Sequence, residues 1–147
     1  MKARMNINEV EPRIYRAMFF ADKQIKEFDI DPKLKELIKM RVSQVNGCGY
    51  CIDYHSKDAL ALGETVQRLL ALAAWWETPF FSDEERAALK LTEEVTNIHP
   101  QGVSDETYQD ALTHFCKQKL AQLIFIAITI NGWNRIAIPA HMVAGVD

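Results

Sequence analysis

The sequence predicts an all-α fold of about six or seven helices, in a single domain covering residues 1–147. Apolar residues recur at helical spacing along most of the chain, and capping residues, prolines and glycines mark the ends of these patterns. No run of alternating polar and apolar residues between turn signals requires a strand. The 147 residues, 48% of them apolar, are enough to build a buried core.

The first half of the chain contains three helical patterns. The first runs over residues 9–28 and is disturbed at Pro12. Asp31-Pro32 then combines an N-cap acceptor with a proline at the first helical position, and the helix that follows ends at Asn46-Gly47. The third pattern covers residues 48–62, and Gly63 ends it.

The second half predicts the remaining helices. One pattern covers residues 64–76, before a break at residues 78–81. Ser82 opens a capping box for a helix to about residue 98, and Ser104 opens another that ends near residue 116. The last helix runs from about residue 118 until Pro139 disturbs or ends it. Its segment 123–130 is apolar on nearly every side, which places it at the centre of the fold or between subunits.

Charge and composition limit the partners and the compartment. The net charge of −3 argues against nucleic acid and against an anionic membrane surface. The N-terminus lacks the apolar segment of a signal peptide, and the longest apolar run is well short of the ~20 residues that span a bilayer. We therefore expect a cytoplasmic protein, in which a C-x-x-C pair is more often redox-active or metal-binding than structural.

The segment most suggestive of chemistry is Cys48-Gly49-Tyr50-Cys51, with His55 four residues after the second thiol. On a helix, Cys48, Cys51 and His55 fall within an arc of roughly 60°. Two thiols that can form a disulfide, one helical turn from a base, outline a redox site.

Two physical effects favour different sulfurs as the attacking thiolate. A free thiol has a pKa near 8.5, so it needs activation at neutral pH. Cys48 lies near a helix N-terminus, where unpaired N–H groups favour an anion. Cys51 precedes His55 by four residues, so the imidazole can take its proton directly or through water. We choose Cys51 as the attacking thiolate and Cys48 as the resolving thiol.

Two alternatives compete with redox chemistry. A structural zinc site needs four ligands, yet His99, His114 and His141 have no companion ligand at finger-like spacing. The other alternative is that both cysteines are small buried apolar residues. Cys116, the third cysteine, is expected to be such a filler.

The segment 46–57 resembles the alkylhydroperoxidase D-like branch of the carboxymuconolactone decarboxylase family. The pattern of that branch is a glutamate, eleven residues and then C-x-x-C-x-x-x-H, and Glu36 stands twelve positions before Cys48. Segments 81–89 and 131–135 resemble further family segments. The similarity covers roughly residues 9–142.

The resemblance implies thiol-dependent reduction of hydroperoxides by a helical protein that forms homo-oligomers, commonly trimers or hexamers. It implies that Cys51 attacks the peroxide and becomes a sulfenic acid, that Cys48 closes the disulfide, and that His55 and Glu36 relay protons. It also implies an external dithiol or dihydrolipoyl-type reductant. We expect neither a cofactor nor a metal ion. The lactone decarboxylases of the family lack this cysteine pair.

One position differs from the better-known peroxidases of the group, which carry a histidine just before the second cysteine. Tyr50 stands there, and a phenol with a pKa near 10 is a poor base at neutral pH. Any relay is then expected to run through Glu36, His55 and water. The difference also motivates an alternative function, a redox-sensing or small-molecule-binding oligomer with a reversible disulfide and little turnover.

Two charged residues of the second helix carry separate predictions. Counted by helical angle, Glu36 lies opposite the apolar stripe, so the pattern alone predicts a solvated surface carboxylate. Arg41 falls inside the stripe, which predicts a buried or interfacial ion pair.

Overall fold

The computed structural model describes residues 2–98 and 100–145, and its architecture is entirely helical in those ranges. It contains eight α-helices, one 3₁₀ helix and no strand in that part of the chain, which confirms the predicted all-α class. The elements are α1 (Ile7–Val10), α2 (Pro12–Glu27), α3 (Pro32–Asn46), α4 (Gly49–Ala61), α5 (Val66–Ala71), the 3₁₀ helix (Leu72–Glu77), α6 (Asp83–Thr96), α7 (Asp105–His114) and α8 (Lys117–Ala140).

The helix count is slightly above the expected six or seven because two predicted helices are divided. Glu11 adopts φ −143°, which is not helical, and Pro12 then opens α2, so the first pattern becomes α1 and α2. The pattern over residues 64–76 becomes α5 and the 3₁₀ helix, where Ala74 adopts a non-helical φ of −135°. The first division agrees with the disturbance expected at Pro12, whereas the second is a local backbone change that an apolar period does not record.

Helix α3 is the central element of the fold. The Asp31 side chain caps it by accepting hydrogen bonds from the backbone N–H groups of Lys33 and Leu34, at 2.9 and 3.1 Å. The helix packs against α4, α6 and α8, as well as against the 3₁₀ helix. Leu37 and Ile38 are fully buried, although they point into two different core clusters. A helix surrounded in this way buries more than one side, and this arrangement determines where its polar residues lie.

Helix α8 is long and apolar enough to cross a membrane by length and composition. Within the fold it packs against α2, α3, α4, α6 and α7. Leu123, Ile126 and Ile130 lie in the main core, while Ile128 remains half-exposed on the outer side. The central position predicted for segment 123–130 therefore holds for most of its side chains. Pro139 lies inside the last turn, and the helix ends one residue later at Ala140.

The turn between α3 and α4 is fixed by a backbone hydrogen bond and by side-chain hydrogen bonds to α8. Gly47 adopts the left-handed conformation, with φ +70°, and the backbone N–H of Cys48 donates to the Ser43 carbonyl at 2.9 Å. The Asn46 side-chain amide donates to the side-chain oxygens of Asn131 and Asn134 at 2.9 and 2.8 Å. The start of the C-x-x-C segment is thus tied to α8, through the segment 131–135.

Two further predictions have clear outcomes. Arg41 forms a salt bridge with Glu93 at 2.6 Å and lies over the Trp76 ring, which agrees with the predicted ion pair. Cys116 is exposed at the N-cap of α8, so its predicted role as a buried filler is wrong. The residue lies at the junction between α7 and α8, outside the apolar stripe of either helix.

Candidate active site

A cavity of about 1060 Å³ lies between α2, α3, α4 and α8. Its walls combine apolar and aromatic side chains with eight Asp, Glu, Lys and His residues. Such a combination is typical of sites that bind small organic molecules. The residues that matter for its chemistry are Tyr15, Phe19 and Asp22 from α2, Glu36 and Lys39 from α3, Tyr50, Cys51, Tyr54 and His55 from α4, and Trp133 from α8.

Cys48 and Cys51 form a disulfide at the start of α4. Cys48 is the N-cap residue, and its sulfur accepts a hydrogen bond from the Cys51 backbone N–H at 3.4 Å. Both side chains are buried, with exposed fractions of 1% for Cys48 and 4% for Cys51. Of the two, only Cys51 is among the cavity-lining residues. A molecule in the cavity would therefore meet Cys51 first, with Cys48 behind it.

His55 and Glu36 form a hydrogen-bonded pair in the same cavity. The Nδ1 atom of His55 lies 2.8 Å from Oε2 of Glu36, and both side chains are largely buried. Because a carboxylate accepts, Nδ1 carries the proton, and Nε2 remains free to exchange one. The antiparallel connection of α3 and α4 through Gly47 brings the two residues together across 19 positions of sequence.

The surface position predicted for Glu36 from the helical angle is wrong, since its exposed fraction is only 7%. The angle count failed because α3 is packed on several sides, and α4 covers the side opposite the apolar stripe. The family resemblance implied that Glu36 works together with His55, and the two side chains do lie side by side.

The charge state of Glu36 follows from its neighbours. Burial acts to raise the pKa of this carboxyl, but the hydrogen bond from His55 and the positive charge of Lys39 outweigh it, so the pKa is lowered from its usual 4.5. The Lys39 ammonium lies 2.7 Å from Oε1 of Glu36. Glu36 is therefore a carboxylate at neutral pH and holds the imidazole ring in place.

This pKa direction predicts how stability depends on pH. A carboxyl whose pKa is lower in the folded protein contributes stability above its unfolded pKa, about 4.5, and loses it as pH falls through the folded value. We expect the Glu36→Gln variant to lose less stability than wild type as pH falls below about 5, because its amide has no proton to take up. Urea unfolding measured across that range checks this, with the exposed Glu77→Gln variant as control. Parallel curves for Glu36→Gln and wild type would contradict it.

Two tyrosines of α4 line the cavity beside the reactive pair. The rings of Tyr50 and Tyr54 are stacked, with centroids 6.4 Å apart. The nearby Asp58 carboxylate, followed by burial, raises the pKa of Tyr54, so this phenol stays protonated at neutral pH. These rings therefore contribute aromatic surface beside Cys51 in the α4 wall.

The sequence did not indicate that Asp22 and Trp133 belong to the same cavity. The Trp133 Nε1–H donates to Oδ2 of Asp22 at 2.9 Å, although 111 residues separate them. Trp133 also makes edge contacts with Tyr15 and lies beside Phe19, with ring centroids 5.2 and 5.5 Å apart. Segment 131–135 was a signal for Trp133, whereas nothing in the pattern of α2 distinguished Asp22.

The residues considered for a metal site have different positions. His99 lies outside the described residues, His114 is exposed at the end of α7, and His141 follows the last turn of α8. Another set, Glu36, His55 and Asp58, places possible ligand atoms within 4.8 Å of one another. In that set Glu36 already accepts from His55 and Lys39, so its oxygens are engaged.

Comparisons with known proteins agree with the motif. Residues 12–94 match the model of the carboxymuconolactone decarboxylase family. An uncharacterised protein of Bacillus subtilis (strain 168), YdfG, is 43% identical over 138 residues, which are 94% of each chain.

Solved structures share the fold. One is a protein of unknown function from Agrobacterium tumefaciens, suggested to be the antioxidant defence protein AhpD. Its structure superposes with a TM-score of 0.96 at 28% sequence identity, and the match covers 99% of this chain and 100% of that chain. The debrominase Bmp8 has a TM-score of 0.83 at 20% identity, over 94% of this chain and 74% of its own, and this likeness concerns the fold. The resemblance inferred from the sequence is confirmed, and the chain belongs to the carboxymuconolactone decarboxylase family.

Proposed function

We propose that the protein is a thiol-dependent peroxidase that reduces organic hydroperoxides through Cys51 and Cys48. One observation carries the proposal: Cys51, half of a disulfide-forming pair, opens on a cavity whose wall also holds the His55–Glu36 pair. A nucleophile, a base and a group that orients the base are the parts that activated thiols use.

The reaction balances with these groups. His55 takes the proton of the Cys51 thiol, and the thiolate attacks the terminal oxygen of the hydroperoxide. The O–O bond breaks, Cys51 becomes a sulfenic acid, and the alkoxide leaves and is protonated to an alcohol. Cys48 then attacks the Cys51 sulfur, which forms the disulfide and releases water. An external dithiol, of the dihydrolipoyl type or another small dithiol, restores both thiols and becomes a disulfide itself.

The preference for organic hydroperoxides is supported by the cavity. Its volume of about 1060 Å³ exceeds the space that hydrogen peroxide needs, and Tyr15, Phe19 and Trp133 give it an aromatic wall. We place the reaction in the cytoplasm, where dithiol reductants are maintained.

We also propose a homo-oligomer, a trimer or a hexamer. Large apolar side chains at the surface support this part of the proposal, among them Phe20 at 66% and Leu70 at 76% exposed.

The decisive experiment is an assay of the purified wild-type protein with cumene hydroperoxide and dihydrolipoamide. We expect the two to be consumed in equal amounts, with one alcohol formed for each disulfide. Hydrogen peroxide, compared at the same concentration, is expected to react more slowly. Absence of hydroperoxide consumption with every dithiol tested would overturn the proposal.

A redox sensor remains the second candidate, because Tyr50 stands where related peroxidases carry a histidine. In that case the protein would be oxidised once per molecule, and its assembly state would change with the disulfide. The same assay separates the two functions: one equivalent of hydroperoxide consumed per subunit favours the sensor, and continuous consumption favours the peroxidase.

A further inference from the structure

Asp22 is an ionisable group of the cavity that the reaction above leaves unused. It lies on α2, in a different wall from Cys51, and its Oδ2 accepts the hydrogen bond from Trp133. Within the described ranges, no ion pair involves this carboxyl. It is therefore oriented by one neutral donor and faces the space that a substrate would fill.

The surroundings of Asp22 raise the pKa of its carboxyl. Burial raises the pKa of this carboxyl above the usual 3.8, and the hydrogen bond from Trp133 with the positive charge of Lys39, of His55 once it has taken a proton, and of Lys26 offsets only part of that effect. These charges come from α3, α4 and α2 respectively, and Trp133 from α8 is neutral. An apolar substrate in the cavity would displace water and shift the balance further toward the neutral acid.

The geometry of peroxide cleavage requires a proton away from Cys51. A thiolate displaces the leaving oxygen along the axis of the O–O bond, so the departing alkoxide lies on the far side of the peroxide. His55 and Glu36 belong to the walls near Cys51, on α4 and α3. An alkoxide is a strongly basic leaving group, and a proton donor on a helix other than that of Cys51, as Asp22 is on α2, would lower the barrier to its departure.

We propose that Asp22, oriented by Trp133, donates the proton to the alkoxide oxygen as the O–O bond breaks. This rests on the proposed peroxidase function. Asp22 becomes a carboxylate and the alkoxide becomes the alcohol. The proton that His55 took from the Cys51 thiol then returns to Asp22 through water in the emptied cavity, so the step needs no further reactant.

The test compares two oxidants whose leaving groups differ in basicity. Cumene hydroperoxide releases an alkoxide, whereas peroxyacetic acid releases acetate, which leaves without protonation. Reduced wild type and Asp22→Asn are mixed with each oxidant in a single turnover, and oxidation of Cys51 is followed by trapping the sulfenic acid. The asparagine oxygen can still accept from Trp133, but the side chain carries no acidic proton.

We expect Asp22→Asn to slow the reaction with cumene hydroperoxide by about 100-fold, the lower range for general acid catalysis, and to leave the peroxyacetic acid rate close to that of wild type. The control is Glu27→Gln, which removes an exposed carboxyl from the same helix, α2. This variant should match wild type with both oxidants. Trp133→Phe keeps an aromatic ring but removes the N–H that orients Asp22, and should show a smaller loss confined to cumene hydroperoxide.

Every other pattern overturns the inference. Equal losses with both oxidants would make Asp22 a structural residue, and unchanged rates would make it irrelevant to the step. If Asp22→Asn does not fold by circular dichroism, Trp133→Phe decides the question with the same two oxidants. A wild type that reacts with neither oxidant would instead overturn the proposed function, so the two failures are distinguishable.

Discussion

Replacing Cys51 by serine is expected to reduce hydroperoxide consumption to the rate of the protein-free reaction. A serine hydroxyl is almost fully protonated at neutral pH, and it cannot form a sulfenic acid or a disulfide. Among the cysteines, Cys51 is the one that lines the cavity, so no other cysteine can replace it without a rearrangement of α4. The measurement is steady-state consumption of cumene hydroperoxide with dihydrolipoamide in excess.

The other two cysteines provide matched controls. Cys48→Ser should still react once with hydroperoxide, and the trapped product should be a sulfenic acid on Cys51 or a mixed disulfide with the reductant. Cys116→Ser should behave as wild type, because this exposed residue lies at the start of α8, outside the cavity wall. Turnover of Cys51→Ser at the wild-type rate would show that the chemistry is located elsewhere.

Replacing His55 by alanine is the substitution with the second largest expected effect. We expect the oxidation of Cys51 at neutral pH to slow by about 10²–10⁴-fold, the range for loss of a positioned general base. The defect should shrink as pH rises past about 8.5, where a free thiol ionises without help. Stopped-flow oxidation rates between pH 6 and 10, for His55→Ala and wild type, measure both effects.

His114→Ala is the matched control, since this histidine is exposed at the end of α7. Glu36→Gln should give a smaller defect than His55→Ala, because the amide oxygen still accepts from Nδ1 and the imidazole itself remains. A His55→Ala profile that runs parallel to wild type at every pH would remove His55 from the activation of Cys51. Thermal unfolding of each variant separates a lost base from a lost fold.

The helices of the fold were predictable where residues close in sequence mark the end of a helix. The Asp31 side chain, and those of Ser82 and Glu85, supply acceptors for backbone N–H groups within three residues, and the structure contains both caps. Gly47 at the end of α3 is equally local. The division at Pro12 was indicated by the proline, whereas the division at Ala74 was missed because an apolar period survives a single residue of non-helical backbone.

The candidate site was predictable only in part, because its members come from four helices. Cys48, Cys51 and His55 share one helix or its cap, so their spacing indicated that they lie close together. The angle count placed Glu36 on the surface, since a single helix carries no information about which of its sides a neighbour covers. Asp22 depends on a contact with Trp133 across 111 residues, and no local pattern encodes such a contact.

The hydrogen bond from the Cys51 amide to the Cys48 sulfur has a consequence for the energetics of reduction. When the pair is reduced, any negative charge on Cys48 rests at the positive end of the α4 dipole and receives a charge-assisted bond from that amide. Stabilising the dithiol in this way makes the couple more oxidising. The Cys51 amide proton should accordingly exchange with deuterium more slowly in the reduced protein, which makes a single backbone resonance an indicator of the redox state.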